Sequence, residues 1–440
     1  MHALQAPRGY ARAVLPNIAL THQKGRFFMN DALMTQYADF AVRVGVNPQP
    51  GQTLIIRAPI EGAHFARCCA AIAYGIGVRE VVVHYTDEQL SRIRMQYTDA
   101  AVLEDVKPWE TRRFLDYVEG EGGACLLSIV ARNPEIYKGI DPAKVERANT
   151  ARMKANESWR RYTMADQIQW SIVAIPSGAW ATKVFPDLSP AAAQEKLWGT
   201  IFDVCRVTEG GDVVSAWREH VARTTARRDH LNALDLASVR LQSANGTDLT
   251  VALADDAVWE GAQSTTPDGT PFIANIPTEE VFTAPHRLGT NGVVHGTKPY
   301  VYNGNLIRDF TVTFRDGVVV DYDAASGKEL LGSLLDTDEG ARHIGEIALV
   351  PASSPINRSG VLFYNTLFDE NAACHIAFGQ GYPGTVKNGT ALSKAELLAK
   401  GVNESLVHED VMVGAPDMHI TGLTRAGETV DIFVDGEWAF

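Results

Sequence analysis

Residues 51–85, GQTLIIRAPIEGAHFARCCAAIAYGIGVREVVVHY, hold the pattern that decides the fold class. A short β-branched run around Thr53–Arg57 precedes a segment rich in Ala and Cys from Glu61 to Tyr74. The GIG turn at 75–77 then leads into a second apolar run, Glu80–Tyr85. Short apolar runs suit strands buried on both faces, and the longer segment between them suits a helix, so the stretch reads as one βαβ unit.

The same alternation extends outward. Helical patterns cover Asp87–Tyr97 and Trp109–Val118, and Ala124–Val130 is a third strand. Pro142 opens a long polar helix to about Tyr162, Trp170–Ile175 is a fourth strand, and Pro190–Cys205 is a further helix with proline at a tolerated early position. Upstream, Asn30 or Asp31 caps a helix through MTQYADFAVRVG, with Gly45 as its stop. Strands alternating with helices in this way predict a doubly wound, mostly parallel sheet.

After a helical stretch at Trp217–Leu234 the texture changes. Val239–Leu253 is two alternating runs joined around Asn245 and Gly246, a hairpin signal. VVVDYDAASG, EIALV, GVLFYN, VHEDVMVG, MHITGL and ETVDIFVDGEW then read as β segments. A chain of 440 residues exceeds what one core usually fills. We therefore expect an α/β protein with an N-terminal α/β domain over 29–235 and a β-rich α+β C-terminal domain over 236–440. Residues 1–28 contain no acidic side chain and carry Arg8, Arg12, Lys24 and Arg26. They read as a disordered extension ahead of a second start at Met29, with a transit-type leader as the alternative.

A net charge of −13 with no compensating basic stripe argues against a nucleic-acid partner or an anionic membrane surface. Five cysteines without CxxC spacing point to reduced thiols and a cytoplasmic setting rather than to disulfides or a thiolate zinc site. No apolar run approaches the roughly 20 residues of a membrane span.

Candidate chemistry gathers between Asn365 and Gly414. His408 and Asp410 stand two apart in an alternating run, so on a strand they share a face that Glu409 does not. His375 lies among small and acidic residues, and Tyr382 closes a glycine-rich turn. Two acidic stretches precede them. NIPTEEVFTAP at 275–285 contains Glu279 and Glu280, which on local pattern alone also suits an exposed turn or a capping box on Thr278. DTDEGARHIGEIALV at 336–350 places Glu346 at the opening of an apolar strand, an odd site for a charge unless a cation meets it. The GQGYPG run at 379–384 formally fits GxGxxG, but a helix-like segment before it and Pro383 within it do not suit a dinucleotide loop. Cys374 and His375, read as adjacent helical positions, do not face each other.

PTEEVFTAP, DEGARHIGEIALV, FDENAACHIAFG with GYP, and NESLVHEDVMVG occur in one order along the chain. In that order they resemble the motifs of the thermophilic aminopeptidase family of metallopeptidases, of the aminopeptidase T and aminopeptidase S type. The resemblance implies metal ligands at Glu280, Glu346, His375, His408 and Asp410, and an active-site tyrosine at Tyr382. It also implies a homodimer whose enclosed site takes short peptides with a free N-terminus, with a broad preference for apolar or basic N-terminal residues. Gly381 departs from the bulkier residue expected before the tyrosine and would loosen it.

Three carboxylates and two imidazoles are too many for one open zinc, and suit two divalent ions sharing a carboxylate, whether zinc, cobalt or manganese. Such a pair would activate a bridging water, with Glu346 or Glu280 passing the proton to the leaving amine. Asn371 and Glu370 are expected to orient His375, while His286, His295, His343 and His419 read as structural. The alternatives are a metal-dependent amidohydrolase or esterase acting on a non-peptide amide, and a non-catalytic nucleotide- or ligand-binding α/β protein.

Overall fold

The computed structural model describes residues 31–302 and 305–440. The expectations for residues 1–28 and for Asn30 lie outside them. The predicted parallel sheet is formed by Thr53–Pro59, Glu80–Thr86, Ala124–Val130 and Trp170–Ala174, in the order second, first, third, fourth. All three pairings are parallel. Leu54 and Ile56 point to one face, into a core with Tyr37, Phe40, Phe65, Trp180 and Trp217. Ile55 points to the other, against Phe114 and Trp159 of the helices Pro108–Val118 and Pro142–Met164. Apolar side chains on both faces explain why these strands read as continuous hydrophobic runs.

The first helix, Asp31–Phe40, does not stop at Gly45. Its last turn widens over Ala41–Val46, and Asn47 closes it in the left-handed region with φ 45° and ψ 57°. Asn is among the non-glycine residues that best tolerate that conformation. Gly45 serves packing instead, because a Cβ there would meet Ile276 Cδ1 at 2.9 Å.

The later half of the chain builds two large antiparallel sheets, beside a two-stranded one of Ser264–Thr265 and Pro271–Phe272. One has nine strands and includes the expected hairpin, Leu236–Gln242 with Asp248–Leu253, whose five-residue loop turns at Gly246 with φ 102°. The other has four strands, Val281–Thr283, Ile344–Leu349, His375–Gly379 and His408–Met412, each paired with the next along the chain. GVLFYN at 360–365 forms no strand. Tyr364 takes a positive φ of 53°, and the N–H groups of Phe363 and Asn365 donate to the carboxylate of Asp369, each at 2.9 Å.

Ile347, Ile376, Phe378 and Val411 bury one face of the four-stranded sheet in the core of the nine-stranded one. Its opposite face looks towards the parallel sheet. The connection is direct: Ile172 donates its N–H to Ala274, and Ile276 donates to Ile172, at 2.7 and 3.0 Å. This anchors the segment leading to Glu280. Among the described residues no helix is long and apolar enough to cross a membrane.

Candidate metal centre

The open face of the four-stranded sheet carries the predicted residues, and strand register explains why. Glu346 lies opposite Ala377, and Ala377 lies opposite Asp410, so the three form one row across three strands. Residues opposite one another in antiparallel pairs share a face, as do residues two apart on one strand. His375 is two before Ala377, and His408 is two before Asp410. Both imidazoles therefore join that row, while the methyl of Ala377 leaves its centre open. Glu280 immediately precedes the strand Val281–Thr283, which pairs with Ile347–Leu349, directly after Glu346.

The side chains converge. His375 Nε2 lies 3.1 Å from Glu280 Oε2 and 3.5 Å from Glu346 Oε1. His408 Nε2 lies 3.4 Å from Asp410 Oδ1 and 3.8 Å from Glu346 Oε2. Two ligand sets result, Glu280–Glu346–His375 and Glu346–His408–Asp410, each with donor atoms within 4.8 Å of one another, and Glu346 belongs to both. Each imidazole is oriented from behind. His375 Nδ1 lies 3.2 Å from the carbonyl of Ala373 and His408 Nδ1 lies 2.7 Å from that of Gln380. A carbonyl only accepts, so Nδ1 carries a proton and donates, and Nε2 is the nitrogen left facing the carboxylates.

Burial makes this arrangement expensive without a cation. Glu280, Glu346, His375 and Asp410 are buried. Burial pushes Glu346 up to about 7 against the pull of His375 and His408. His375 and His408 would be lowered by burial, but the carboxylates around them win, raising His375 well above the ordinary value and His408 to about 9. Asp410 Oδ1 is buried and accepts no hydrogen bond. An orphaned carboxylate oxygen beside the His408 imidazole, in a set of oxygen and nitrogen donors without thiolate, fits a divalent ion.

Tyr382 stands over the centre, its ring 4.7 Å from that of His408 and 6.1 Å from that of Phe282. Burial first, then Glu346 and Asp410, raise its pKa well above the ordinary value, so the phenol keeps its proton. Gly381 leaves no gap behind it: a Cβ would meet Val402 Cγ1 at 2.7 Å. The six residues line one cavity of about 550 Å³, walled on the far side by Met164, Asp166, Trp170 and Glu260.

Several neighbours differ from expectation. His375 lies on a strand rather than a helix, so Asn371 is not one helical turn behind it and does not touch it. The Asn371 amide instead accepts the Glu279 N–H at 2.6 Å and donates to Leu367 O at 3.2 Å. Glu370 makes no hydrogen bond or ion pair to the imidazole, though the two act on each other electrostatically. It lines the cavity, and burial, then Asp410 and Glu280, push it well above the carboxylate range. Glu279 and Glu280 form no exposed turn, for both are buried and they part company. Arg206 donates to Glu279 Oε1 at 2.5 Å, whereas Glu280 faces His375. None of His286, His295, His343 and His419 lines the cavity.

Comparison with known proteins identifies the family and the fold. Residues 30–438 match the family described as thermophilic metalloprotease (M29). The chain is 46% identical to "Aminopeptidase 2" of Geobacillus stearothermophilus over 407 residues, covering 92% of this chain and 98% of that one. It is 41% identical to "Aminopeptidase AmpS" of Bacillus subtilis with the same coverage. The solved structure of wild-type AmpT from Thermus thermophilus superposes with a TM-score of 0.85 at 36% identity, covering 93% of this chain and 99% of that one. The chain belongs to the thermophilic metalloprotease family, M29.

Proposed function

We propose that this protein is a two-metal aminopeptidase that removes the first residue of short peptides. The observation that carries the reading is the shared Glu346, whose two oxygens each face a different imidazole. Glu280, Glu346 and His375 would hold one ion, and Glu346, His408 and Asp410 the other. Divalent ions bound there supply Lewis acidity, polarising the scissile carbonyl and making water nucleophilic near neutral pH.

The chain's own residues do the rest. The two backbone carbonyls fix the imidazoles so that neither has to reorient. Tyr382, held protonated, donates to the oxygen on which charge develops, where such a donor acts most strongly. One of the two site glutamates, Glu346 or Glu280, carries the proton from the attacking water to the leaving amine. A cavity of about 550 Å³ suits a few residues of extended peptide and excludes a folded protein. We further propose two domains meeting near residue 236, a cytoplasmic homodimer, and zinc, cobalt or manganese as the metal. The five free, buried cysteines suit a reducing compartment.

The test is an aminoacyl-nitroanilide assay of the wild type, Glu346→Ala and His408→Ala, each stripped with EDTA and reloaded with Co²⁺ or Zn²⁺. Activity should return only in the wild type, with close to two ions per chain by elemental analysis. N-terminally acetylated peptides should not be cleaved. Undiminished turnover in either variant would sink the assignment.

A further inference from the structure

A second charged constellation lies on the parallel sheet, among residues the peptidase reading does not use. Arg57 sits near the carboxyl end of the first strand, with His84 and Ser128 beside it in register on the flanking strands. Its guanidinium lies over the Trp159 ring at 5.8 Å. Trp159 stacks on Phe114 at 5.0 Å, His84 meets Phe114 at 5.3 Å, and Arg113 lies over Phe114 at 5.1 Å. Arg152 is two helical turns before Trp159 on the same helix, and Arg132 follows the end of the third strand by two residues. A floor of two stacked aromatics is thus edged by guanidiniums and one imidazole.

These cations form no close ion pair, and Arg132 feels carboxylates farther off, Glu88 and Glu409. No carboxylate lies within 4.0 Å of Arg57, Arg113, Arg132 or Arg152 in any ion pair among the described residues, and all four are exposed. The nearby Glu88 accepts the N–H of Asn133 at 3.0 Å and makes no ion pair with the arginines within 4.0 Å. Arg57 is partly stripped of water, and with Arg132, Arg113 and Arg152 around it its pKa falls to about 10. In a chain of net charge −13, unpaired like charges held this close are an exception that costs stability. A second observation points the same way: His84 Nε2 is buried and has no hydrogen-bond partner.

The topology adds a third. The strand order second, first, third, fourth reverses direction between the first and third strands. In open α/β sheets, ligands bind in the crevice outside the carboxyl ends of the strands at such a reversal. Arg57 and Arg132 flank that crevice, one on each strand.

We propose that Arg57, Arg113, Arg132 and Arg152, with His84, form a binding site for a phosphate-bearing small anion, separate from the metal centre. Guanidinium forks match phosphate oxygens in pairs, and a multiply charged phosphate balances the cluster better than a single carboxylate. The overall negative charge of the chain opposes a long polyanion, which favours a small one. The shared chemistry is the phosphate group, whether free or carried as a di- or triphosphate.

The experiment is calorimetric titration of the metal-loaded enzyme with inorganic phosphate, pyrophosphate and a nucleoside triphosphate, at constant ionic strength. Wild type, Arg57→Gln, Arg132→Gln and Arg113→Gln are compared. Arg113 is on an exposed helical surface, so its variant guards against misfolding of the others. One saturable site should appear for at least one ligand, and each lost guanidinium should weaken it about ten-fold or more. The aminoacyl-nitroanilide kcat/KM should stay unchanged in the variants. Tighter binding of pyrophosphate or the triphosphate than of phosphate would identify a phosphorylated ligand, and equal binding the free anion. Absence of saturable binding, or binding of equal strength in all three variants, as expected of phosphate held at the metal centre, would overturn the proposal.

Discussion

The buried charges around Glu279 and those around Glu346 start a few residues apart in space and are balanced differently. Glu279 meets a permanent cation: Arg206 donates to it, and also lies 3.1 Å from His220 Nδ1. His220 in turn lies 2.7 Å from the Thr278 carbonyl through Nε2, and burial together with Arg206 lowers it to about 3, so it stays neutral. Glu279 Oε1 and both nitrogens of His220 have partners supplied by the chain. Around Glu346, among the described residues, the cations are imidazoles that carry charge by capturing protons, and Asp410 Oδ1 remains without a hydrogen bond. A closed network of the first kind holds structure. An open one of the second kind leaves its balance to something from outside.

Substitutions should separate the two. The largest effect belongs to Glu346→Ala, which removes the carboxylate common to both ligand sets. We expect aminopeptidase turnover to fall by at least about 10³-fold, with both ions lost on elemental analysis. Tyr382→Phe should lower kcat by about 10²–10³-fold while leaving metal content unchanged, which separates the oxyanion donor from the ligands. Arg206→Ala acts on the closed network. It strands Glu279 and should cost about 3 kcal/mol or more of stability in denaturant unfolding, with kcat of the folded fraction little altered. If Arg206→Ala released the metals without destabilising the fold, the contrast between the two networks would fail.

The smallest effect is a pH trend in metal-free protein. Glu346 and His408 are held above their ordinary values, at about 7 and about 9. The folded state therefore binds these protons more tightly than the unfolded chain. The stability they contribute is complete below the unfolded values, about 4.5 for Glu346 and about 6.5 for His408, and is lost as pH rises through about 7 and about 9. Melting of EDTA-treated protein should fall between pH 5 and pH 9, and saturating divalent ion should shrink that fall, because metal binding displaces the same protons.

Sequence reading located the sheets where side chains alternate or run apolar for reasons of burial. The four parallel strands and the row of His408 and Asp410 were legible because period two maps directly onto a face. It failed where tertiary contacts override local pattern. FDENAACHIA looks helical because its residues are small, yet Ile376 and Phe378 draw His375–Gly379 into a strand against the core. GVLFYN looks like a strand, but the carboxylate of Asp369 gathers its N–H groups into a turn. Glu279 and Glu280 were legible as a pair and illegible as individuals, since Arg206 is more than 70 positions away and nothing local ranks one above the other. The arginines at 57, 113, 132 and 152 are spread over nearly 100 residues and leave no signature in any window.

Both histidines of the centre are steered by main-chain oxygens, at Ala373 and Gln380, rather than by carboxylates or amides of other side chains. No replacement of a side chain at those two positions deletes the acceptor. The tautomers of the imidazoles are thereby inherited from the path of the polypeptide itself, and drift in the surrounding sequence can recolour the cavity wall without unsetting them. Only a slip in strand alignment would do so, and such a slip would dismantle the sheet at the same stroke.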